Sequence, residues 1–273
     1  TQEFFPNDLN DLEKKLKRNK RHGGTAAVLI EPVGPESGTR PLDFDFNKGV
    51  EELCRKYDAL LIFDEVVTGF RMGMGGAQEY FGVSPDLTVF GKVIAGGYPS
   101  AGGLGGKKEV MKYLSAGISG EAKHKKALVG GTMAANPLSC LAGYYTICEM
   151  ERTDAAGKAA EFGDKLVDGL QGLIEKYDLP FVAFNQGSIC HLETVGTMHF
   201  SIDWSKPWKI PNVLDQTSLR KREMEHMGAA YMAEGIVTLA GSRLYTSAAY
   251  EDSMLPDILE RFDHVFQTIV QKS

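Results

Sequence analysis

Short apolar runs that end in charged residues constrain the fold of this chain more than any other feature. Residues 60–63 run directly into Asp64, residues 87–90 are followed two positions later by Lys92, and a further apolar run covers residues 25–30. Four to six consecutive apolar residues have the length of a buried strand, and strands that are apolar on both faces are typical of a parallel sheet covered by helices.

Helical spacing alternates with these strands in the first half of the chain. Residues 8–20 and 46–57 carry apolar side chains at helical intervals. Residues 102–106 are almost all glycine, which favours a strand that passes close to neighbouring backbone. Strands that alternate with helices predict an α/β fold with a mainly parallel sheet. We therefore expect a large α/β domain over residues 1–152.

The pattern changes near residue 136 to an α+β type, which predicts a small α+β domain over residues 153–273. A linker is expected at residues 206–211, which contain two prolines. The predicted helices cover residues 137–150, 155–177, 214–233 and 255–270, and the predicted strands cover residues 181–184, 188–193, 198–202 and 236–239.

Composition narrows the class of function. The 30 Lys and Arg against 36 Asp and Glu give a net charge of −6, which argues against a nucleic-acid partner. No apolar run approaches the roughly 18 residues of a membrane-spanning helix, so we expect no membrane partner. Cys54, Cys140, Cys148 and Cys190 are widely spaced, which favours buried free thiols, no metal site and a cytoplasmic location.

Asp64 and Lys92 are the candidate chemical groups. Parallel strands end at the same edge of a sheet, which is where α/β proteins bind ligands. A strand-end aspartate that caps a turn and a solvated lysine would also fit the pattern. A lysine among apolar residues and glycines, however, is suited to form a Schiff base with an aldehyde, and a carboxylate can hold a pyridine nitrogen protonated.

Three motifs resemble the class III aminotransferases that use pyridoxal 5′-phosphate (PLP). They cover residues 61–71, 85–97 and 130–137, and residues 75–83 are especially similar to the glutamate-1-semialdehyde aminomutase branch. The similarity runs in order from about Asn7 to Asn136 and more weakly to the C-terminus. The resemblance implies that the chain contains the C-terminal portion of a fold type I large domain, followed by a small α+β domain.

The resemblance also implies roles for individual residues. Lys92 would hold PLP as a Schiff base, Asp64 would pair with its ring nitrogen, and Val66 would pack against one face of the ring. Thr132 of the partner subunit would reach the cofactor phosphate, which implies a homodimer with shared active sites. Small amino and carbonyl compounds would be the substrates.

Two further residues are candidates for substrate binding. In relatives that use glutamate as amino donor, a glutamate at the position of Glu36 can gate an arginine that binds a carboxylate, and Arg243 is a candidate for that arginine. The alternatives are a surface turn for Glu36 and a structural salt bridge for Arg243.

Three functions follow from these residues. The leading hypothesis is transfer of an amino group between an amino and a carbonyl compound through the Lys92 Schiff base. An intramolecular glutamate-1-semialdehyde 2,1-aminomutase is the alternative, and a non-catalytic fragment that keeps the fold is the second alternative. Because the resemblance begins in mid-domain, we expect residues 1–273 alone to bind PLP weakly.

Overall fold

The computed structural model describes residues 1–114, 127, 130–194, 222, 224–239 and 241–272. Contacts between Cα atoms divide the chain into two compact units, Thr1–Asp154 and Ala155–Ser273. The domains expected over residues 1–152 and 153–273 stay a prediction. Among the described residues, no helix combines the length and apolar character needed to cross a membrane.

The first unit is built on a four-stranded sheet. Its order is β1-β2-β3-β4. The strand β2 is parallel to both β1 and β3, and β4 is antiparallel to β3. The mainly parallel sheet predicted from the sequence is therefore confirmed. The strands are β1 (Ala27–Ile30), β2 (Leu60–Asp64), β3 (Leu87–Phe90) and β4 (Gly103–Gly106).

Helices join and cover these strands. The helix α1 begins after Asp8, whose carboxylate accepts a hydrogen bond from the Asp11 amide at 2.9 Å, as expected of an N-cap. Three-residue or four-residue 3₁₀ turns lie at Lys20–His22, Lys92–Ala95 and Lys112–Leu114. The helices are α1 (Leu9–Asn19), α2 (Pro35–Gly38), α3 (Phe46–Lys56), α4 (Gly76–Phe81), α5 (Lys108–Met111) and α6 (Pro137–Thr153).

The two faces of β2 differ in burial. Leu61 and Phe63 are fully buried, whereas Leu60, Ile62 and Asp64 are partly exposed. This alternation follows from the strand period of two, which sends successive side chains to opposite faces. Asp64 therefore lies on the more open face of the sheet.

The amino-terminal end of β3 is held by a buried carboxylate. Asp86 accepts hydrogen bonds from the Leu61 amide at 2.8 Å and from Arg55 Nη1 at 2.6 Å, and its other oxygen lies 2.8 Å from Lys107 Nζ. Although burial raises the pKa of Asp86, the hydrogen bonds from Lys107, Leu61 and Arg55 outweigh it and hold the pKa below the ordinary 3.8. Asp86 thus ties β2, β3 and α3 together in its ionised form.

Replacing this carboxylate should weaken the fold in a pH-dependent way. A group whose pKa is lower in the folded state stabilises above its unfolded pKa, and the stabilisation is lost as the pH falls through the folded pKa. We expect Asp86→Asn to lower the free energy of unfolding by about 1–3 kcal/mol at pH 7. The deficit should shrink below about pH 4 in urea denaturation.

The control for this prediction is Glu149→Gln, which removes an exposed ion pair with Arg152 on α6. Exposed pairs contribute little, so this variant should unfold like the wild type. A deficit for Asp86→Asn that is the same at pH 3 and pH 7 would contradict the assignment of its stabilising effect to the charge.

The second unit packs two long helices against an antiparallel sheet of order β5-β6-β7. Its elements are α7 (Ala155–Lys176), β5 (Val182–Gln186), β6 (Ile189–Glu193), α8 (224–233), β7 (Arg243–Tyr245) and α9 (Leu255–Lys272). The buried core is formed by Phe162, Leu166, Leu170, Ile174, Cys190, Leu192, Met227, Tyr231, Leu244, Phe262, Val265 and Phe266. This α+β arrangement is the one predicted from the sequence.

The prediction of a strand at residues 236–239 is wrong. That segment forms only an isolated bridge between Leu239 and Arg243, and the neighbouring strand is β7. Val237 is 82% exposed, so its apolar character does not reflect burial, whereas Leu244 is buried and pairs with Cys190. Three other predictions lie wholly or largely outside the described residues. They are the strand at 198–202, the linker at 206–211 and the first half of the helix at 214–233.

The cysteines are free, as expected, but only two of them are buried. Cys54 and Cys190 lie in the interior, and burial raises the pKa of the Cys54 thiol to about 12. Cys140 and Cys148 are exposed on α6, which corrects the expectation that the thiols are buried.

Candidate functional site

The parallel pairing of β2 and β3 brings two candidate groups to one edge of the sheet. Asp64 is the last residue of β2 and lies opposite Val89 of β3. The chain leaves β3 after Phe90, and Lys92 begins the 3₁₀ turn that follows. Asp64 and Lys92 therefore both lie at the carboxyl ends of neighbouring parallel strands, which is the ligand-binding edge of α/β sheets.

Val66 connects these two strand ends. Its amide donates a hydrogen bond to Asp64 Oδ1 at 3.1 Å, which fixes one oxygen of the carboxylate. A Cβ atom on Gly91 would lie 3.0 Å from Val66 Cγ1, so Val66 packs directly over the glycine that precedes Lys92. The structure thus brings together Asp64, Val66 and the chain that carries Lys92.

Lys92 has an unusual backbone conformation. Its φ is +51°, in the left-handed region that non-glycine residues seldom adopt. The turn is closed by hydrogen bonds from the Gly96 amide to Val93 O at 2.9 Å and from the Ile94 amide to Gly91 O at 3.3 Å. The Lys92 side chain is exposed, which differs from the partly apolar surroundings expected from the sequence.

The helix α6 holds this turn from one side through backbone contacts. A Cβ atom on Gly143 would lie 1.9 Å from Ile94 O, and one on Gly96 would lie 2.5 Å from the carbonyl carbon of Ala142. The helix and the turn approach this closely only because both positions are glycine. This contact was not expected from the sequence, since nothing in the spacing of Gly96 and Gly143 pairs them.

A cavity of about 810 Å³ opens beside Asp64 within the first unit. Leu29, Ile30, Glu31 and Pro35 also line it, together with residues of the amino-terminal segment and α1. Small-molecule and cofactor sites commonly have volumes of about 300–1,000 Å³. Lys92 is not among the lining residues, so the cavity approaches the candidate site from the Asp64 side.

Glu36 lies in a left-handed turn. Glu36 and Ser37 have φ of +56° and +59°, and their amides donate to the Glu31 carboxylate at 3.1 and 3.0 Å. Glu31 thus holds the turn that carries Glu36 at the wall of the same cavity. The Glu36 side chain is exposed.

Thr132 belongs to the turn before α6 in the first unit, and Arg243 belongs to the second unit. Thr132 is exposed in the turn before α6, and the next residues are held by hydrogen bonds from the Ala135 amide to Ser100 O at 2.8 Å and from the Ser139 amide to Asn136 Oδ1 at 3.1 Å. Arg243 begins β7 of the second unit, opposite His191.

Glu65 is a buried residue for which the sequence predicted no role. Its side chain is 1% exposed, and it accepts several hydrogen bonds in the interior of the first unit. The sequence feature that could have predicted its burial is the strand period of two, which sends the Glu65 side chain to the face opposite Asp64. Among the residues described, no group of three or more His, Cys, Asp or Glu side chains could hold a metal ion.

Comparison with known proteins identifies the family. Residues 4–239 match the family "Aminotransferase class-III". A glutamate-1-semialdehyde 2,1-aminomutase of Legionella pneumophila (strain Corby) is 34% identical over 237 residues, which are 86% of this chain and 51% of that relative. The chain belongs to the class III aminotransferase family, and it spans about half the length of the curated relatives it matches.

Solved structures agree with this fold. An omega-transaminase from Sphaerobacter thermophilus superposes with a TM-score of 0.77 at 26% identity, over 96% of this chain and 56% of that one. A glutamate-1-semialdehyde aminomutase from Pseudomonas aeruginosa PAO1 has a TM-score of 0.75 at 24% identity, over 99% and 56% of the two chains. The first unit thus has the fold type I architecture expected from the resemblance.

A side chain at position 143 should disturb the turn that carries Lys92. Gly143→Ala would place a methyl group 1.9 Å from Ile94 O, so α6 and the turn must separate. Overpacking of this kind costs about 1–3 kcal/mol, which chemical denaturation can measure.

Gly172→Ala on α7 is the matched control, because a Cβ atom there meets nothing within 4 Å. Alanine is the better helix former by about 1 kcal/mol, so this variant should be as stable as the wild type or more so. A Gly143→Ala protein with wild-type stability would show that the helix and the turn do not touch as described.

Proposed function

We propose that this protein transfers amino groups between an amino and a carbonyl compound with PLP as cofactor. The observation that carries the proposal is the arrangement of Asp64 and Lys92 at the ends of two neighbouring parallel strands. Membership in the class III aminotransferase family supports the same chemistry. When bound, PLP supplies an electron sink that stabilises negative charge at the substrate carbon.

The residues of this site fit that cofactor. Asp64 offers a carboxylate beside a cavity of about 810 Å³, and Lys92 offers an exposed primary amine at the same sheet edge. In the proposal, Lys92 would hold the cofactor through a Schiff base with its aldehyde, Asp64 would pair with the ring nitrogen and Val66 would pack against the ring. The Lys92 amine would also serve as the base that moves a proton at the substrate carbon.

Substrate recognition is proposed for Glu36 and Arg243. An arginine guanidinium binds a carboxylate through two parallel hydrogen bonds, so Arg243 would select amino acids or keto acids, and Glu36 would gate it. The exposed side chain of Glu36 follows Pro35, which lines the cavity, and this position supports the role proposed for the glutamate. Four free cysteines support the cytoplasm as the proposed compartment.

An intramolecular aminomutase is the second candidate. It is favoured by the glutamate-1-semialdehyde 2,1-aminomutases among the relatives, at 34% identity in Legionella pneumophila and 32% in Saccharolobus islandicus (strain L.S.2.15 / Lassen #1). Such an enzyme would return the nitrogen to the same carbon skeleton. Turnover of glutamate-1-semialdehyde without any added amino acceptor would favour the aminomutase over the transaminase.

Trapping with borohydride tests the role of Lys92. Reduction of the protein in excess PLP converts a reversible C=N bond into a stable amine, so peptide mapping should find the label on Lys92. Lys92→Ala should lose both the label and the visible absorption of the bound cofactor.

Lys108→Ala is the matched control, since Lys108 is also exposed but follows β4 rather than β3. This variant should label as the wild type does. A label on Lys108, or on Lys107, which is paired with Asp86, would overturn the assignment of Lys92.

The proposal includes a homodimer in which Thr132 completes the partner's site. Four large side chains on α6 support an interface nearby, because an extended apolar patch marks a surface that another protein covers. They are Leu138, Leu141, Tyr144 and Tyr145, with exposed fractions of 58%, 56%, 63% and 63%. We expect the dimer interface to include residues near 115–137, of which positions 115–126 and 128–129 lie outside the described residues.

Mixing two inactive variants tests the shared site. Lys92→Ala and Thr132→Ala chains should each be inactive alone, but their heterodimer should contain one intact site. Random pairing at equal amounts would restore about a quarter of the wild-type sites, which turnover assays can measure. Absence of any recovery, with heterodimers shown to form, would contradict a site shared between subunits.

A further inference from the structure

Glu65 carries a buried carboxylate directly beside Asp64. The two side chains leave the chain on opposite faces of the sheet, so Asp64 reaches the open face and Glu65 the interior. The Glu65 amide still belongs to the sheet, since it donates to Val89 O at 2.9 Å. Any constraint on Glu65 therefore acts on the residue next to the proposed cofactor contact.

Four hydrogen bonds satisfy this carboxylate. Oε2 accepts from the Ala77 amide at 2.7 Å and from Thr68 Oγ1 at 3.1 Å. Oε1 accepts from the amide and the side-chain nitrogen of Gln78 at 3.2 and 3.3 Å. A buried carboxylate is tolerated only with such partners, and hydrogen bonds to an ionised acceptor are stronger than neutral ones.

These bonds close residues 65–78 into a loop. The chain leaves the sheet at Glu65, turns through residues 66–75 and returns at Gly76, where a Cβ atom would lie 2.5 Å from Glu65 Oε2. Both ends of the loop are thus fastened to one carboxylate. The Gln78 side chain also donates to Thr88 Oγ1 at 3.4 Å, which ties the loop to β3.

The fastened loop carries the groups that face the proposed cofactor. Val66 lies one residue beyond Glu65, donates to Asp64 Oδ1 at 3.1 Å and packs over Gly91. The direction of the Asp64 carboxylate depends on the Val66 amide, and the position of that amide depends on the loop. Asp86 lies at the opposite end of β3, where its carboxylate accepts a hydrogen bond from the Leu61 amide near the start of β2.

We propose that Glu65 is a positioning residue whose buried carboxylate fixes loop 65–78, so that Asp64 and Val66 keep the orientation that the cofactor ring requires. This inference rests on the proposed function, because Asp64 and Val66 matter here as cofactor contacts. Glu65 itself is buried on the face of the sheet opposite Asp64, so in this proposal it acts through Asp64 and Val66 rather than by contact with cofactor or substrate.

Glu65→Gln tests this role with almost no change in volume. The substitution puts an amide NH₂ in place of one oxygen, so a donor faces the backbone donors of Ala77 or Gln78. Hydrogen–deuterium exchange without cofactor should become faster in the peptide that contains residues 64–78. The dissociation constant of PLP should rise about tenfold, in line with the loss of one charged hydrogen bond.

The visible absorption of the bound cofactor gives a second measurement besides turnover. If Asp64 no longer holds the ring nitrogen positive, a second positive charge on the cofactor becomes easier to accommodate. The pH midpoint of the visible band should therefore move upward in Glu65→Gln. A residue with a purely structural role would leave this midpoint unchanged.

Asp86→Asn is the matched control, because Asp86 is a buried carboxylate that also binds a backbone amide in the same unit. It should lower stability and leave the PLP dissociation constant within twofold of wild type. If Glu65→Gln keeps the PLP affinity and the pH midpoint of the wild type, while the wild-type protein shows a normal visible band, the positioning role of Glu65 is overturned. The proposed function would stand in that case. A wild-type protein that shows no PLP band and no label on Lys92 even in a large excess of PLP would instead contradict the proposed function.

Discussion

The parallel register of β2 and β3 is the constraint on which the candidate site depends. With Asp64 opposite Val89, the two strands end within a few residues of each other, and the chain after β3 must pass beside Asp64 on its way to Lys92. Val66 fills the space over Gly91 that this crossing leaves. A shift of one residue in this register would send Asp64 to the interior and Glu65 to the open face.

The sheet of the first unit could be predicted from the sequence because its strands are short and largely apolar. Residues 60–63 and 87–90 are apolar runs of the right length, and the charged residues that follow them are the site candidates. The resemblance to class III aminotransferases supplied the family. The roles of Asp64, Val66, Lys92 and Thr132 rested on matching motif positions, and these roles stay predictions.

Other features could not be predicted, because they depend on contacts between distant parts of the chain. The carboxylate of Glu65 finds partners 12 and 13 residues away through backbone amides, which carry no signal in the sequence. The strand β7 begins with the charged Arg243, and its Leu244 is buried by pairing with β6 and by packing in the core of the second unit. Val237 is the opposite case, because its side chain is apolar and yet it is exposed.

The glycine contact between α6 and the Lys92 turn has a mechanical consequence. Between Gly143 and Ile94 the two backbones meet with no side chain in between that could change rotamer and absorb a displacement. The outer side of the same helix carries the exposed Leu138, Leu141, Tyr144 and Tyr145. A displacement of that outer surface would therefore be transmitted through this close backbone contact to the segment that carries the lysine.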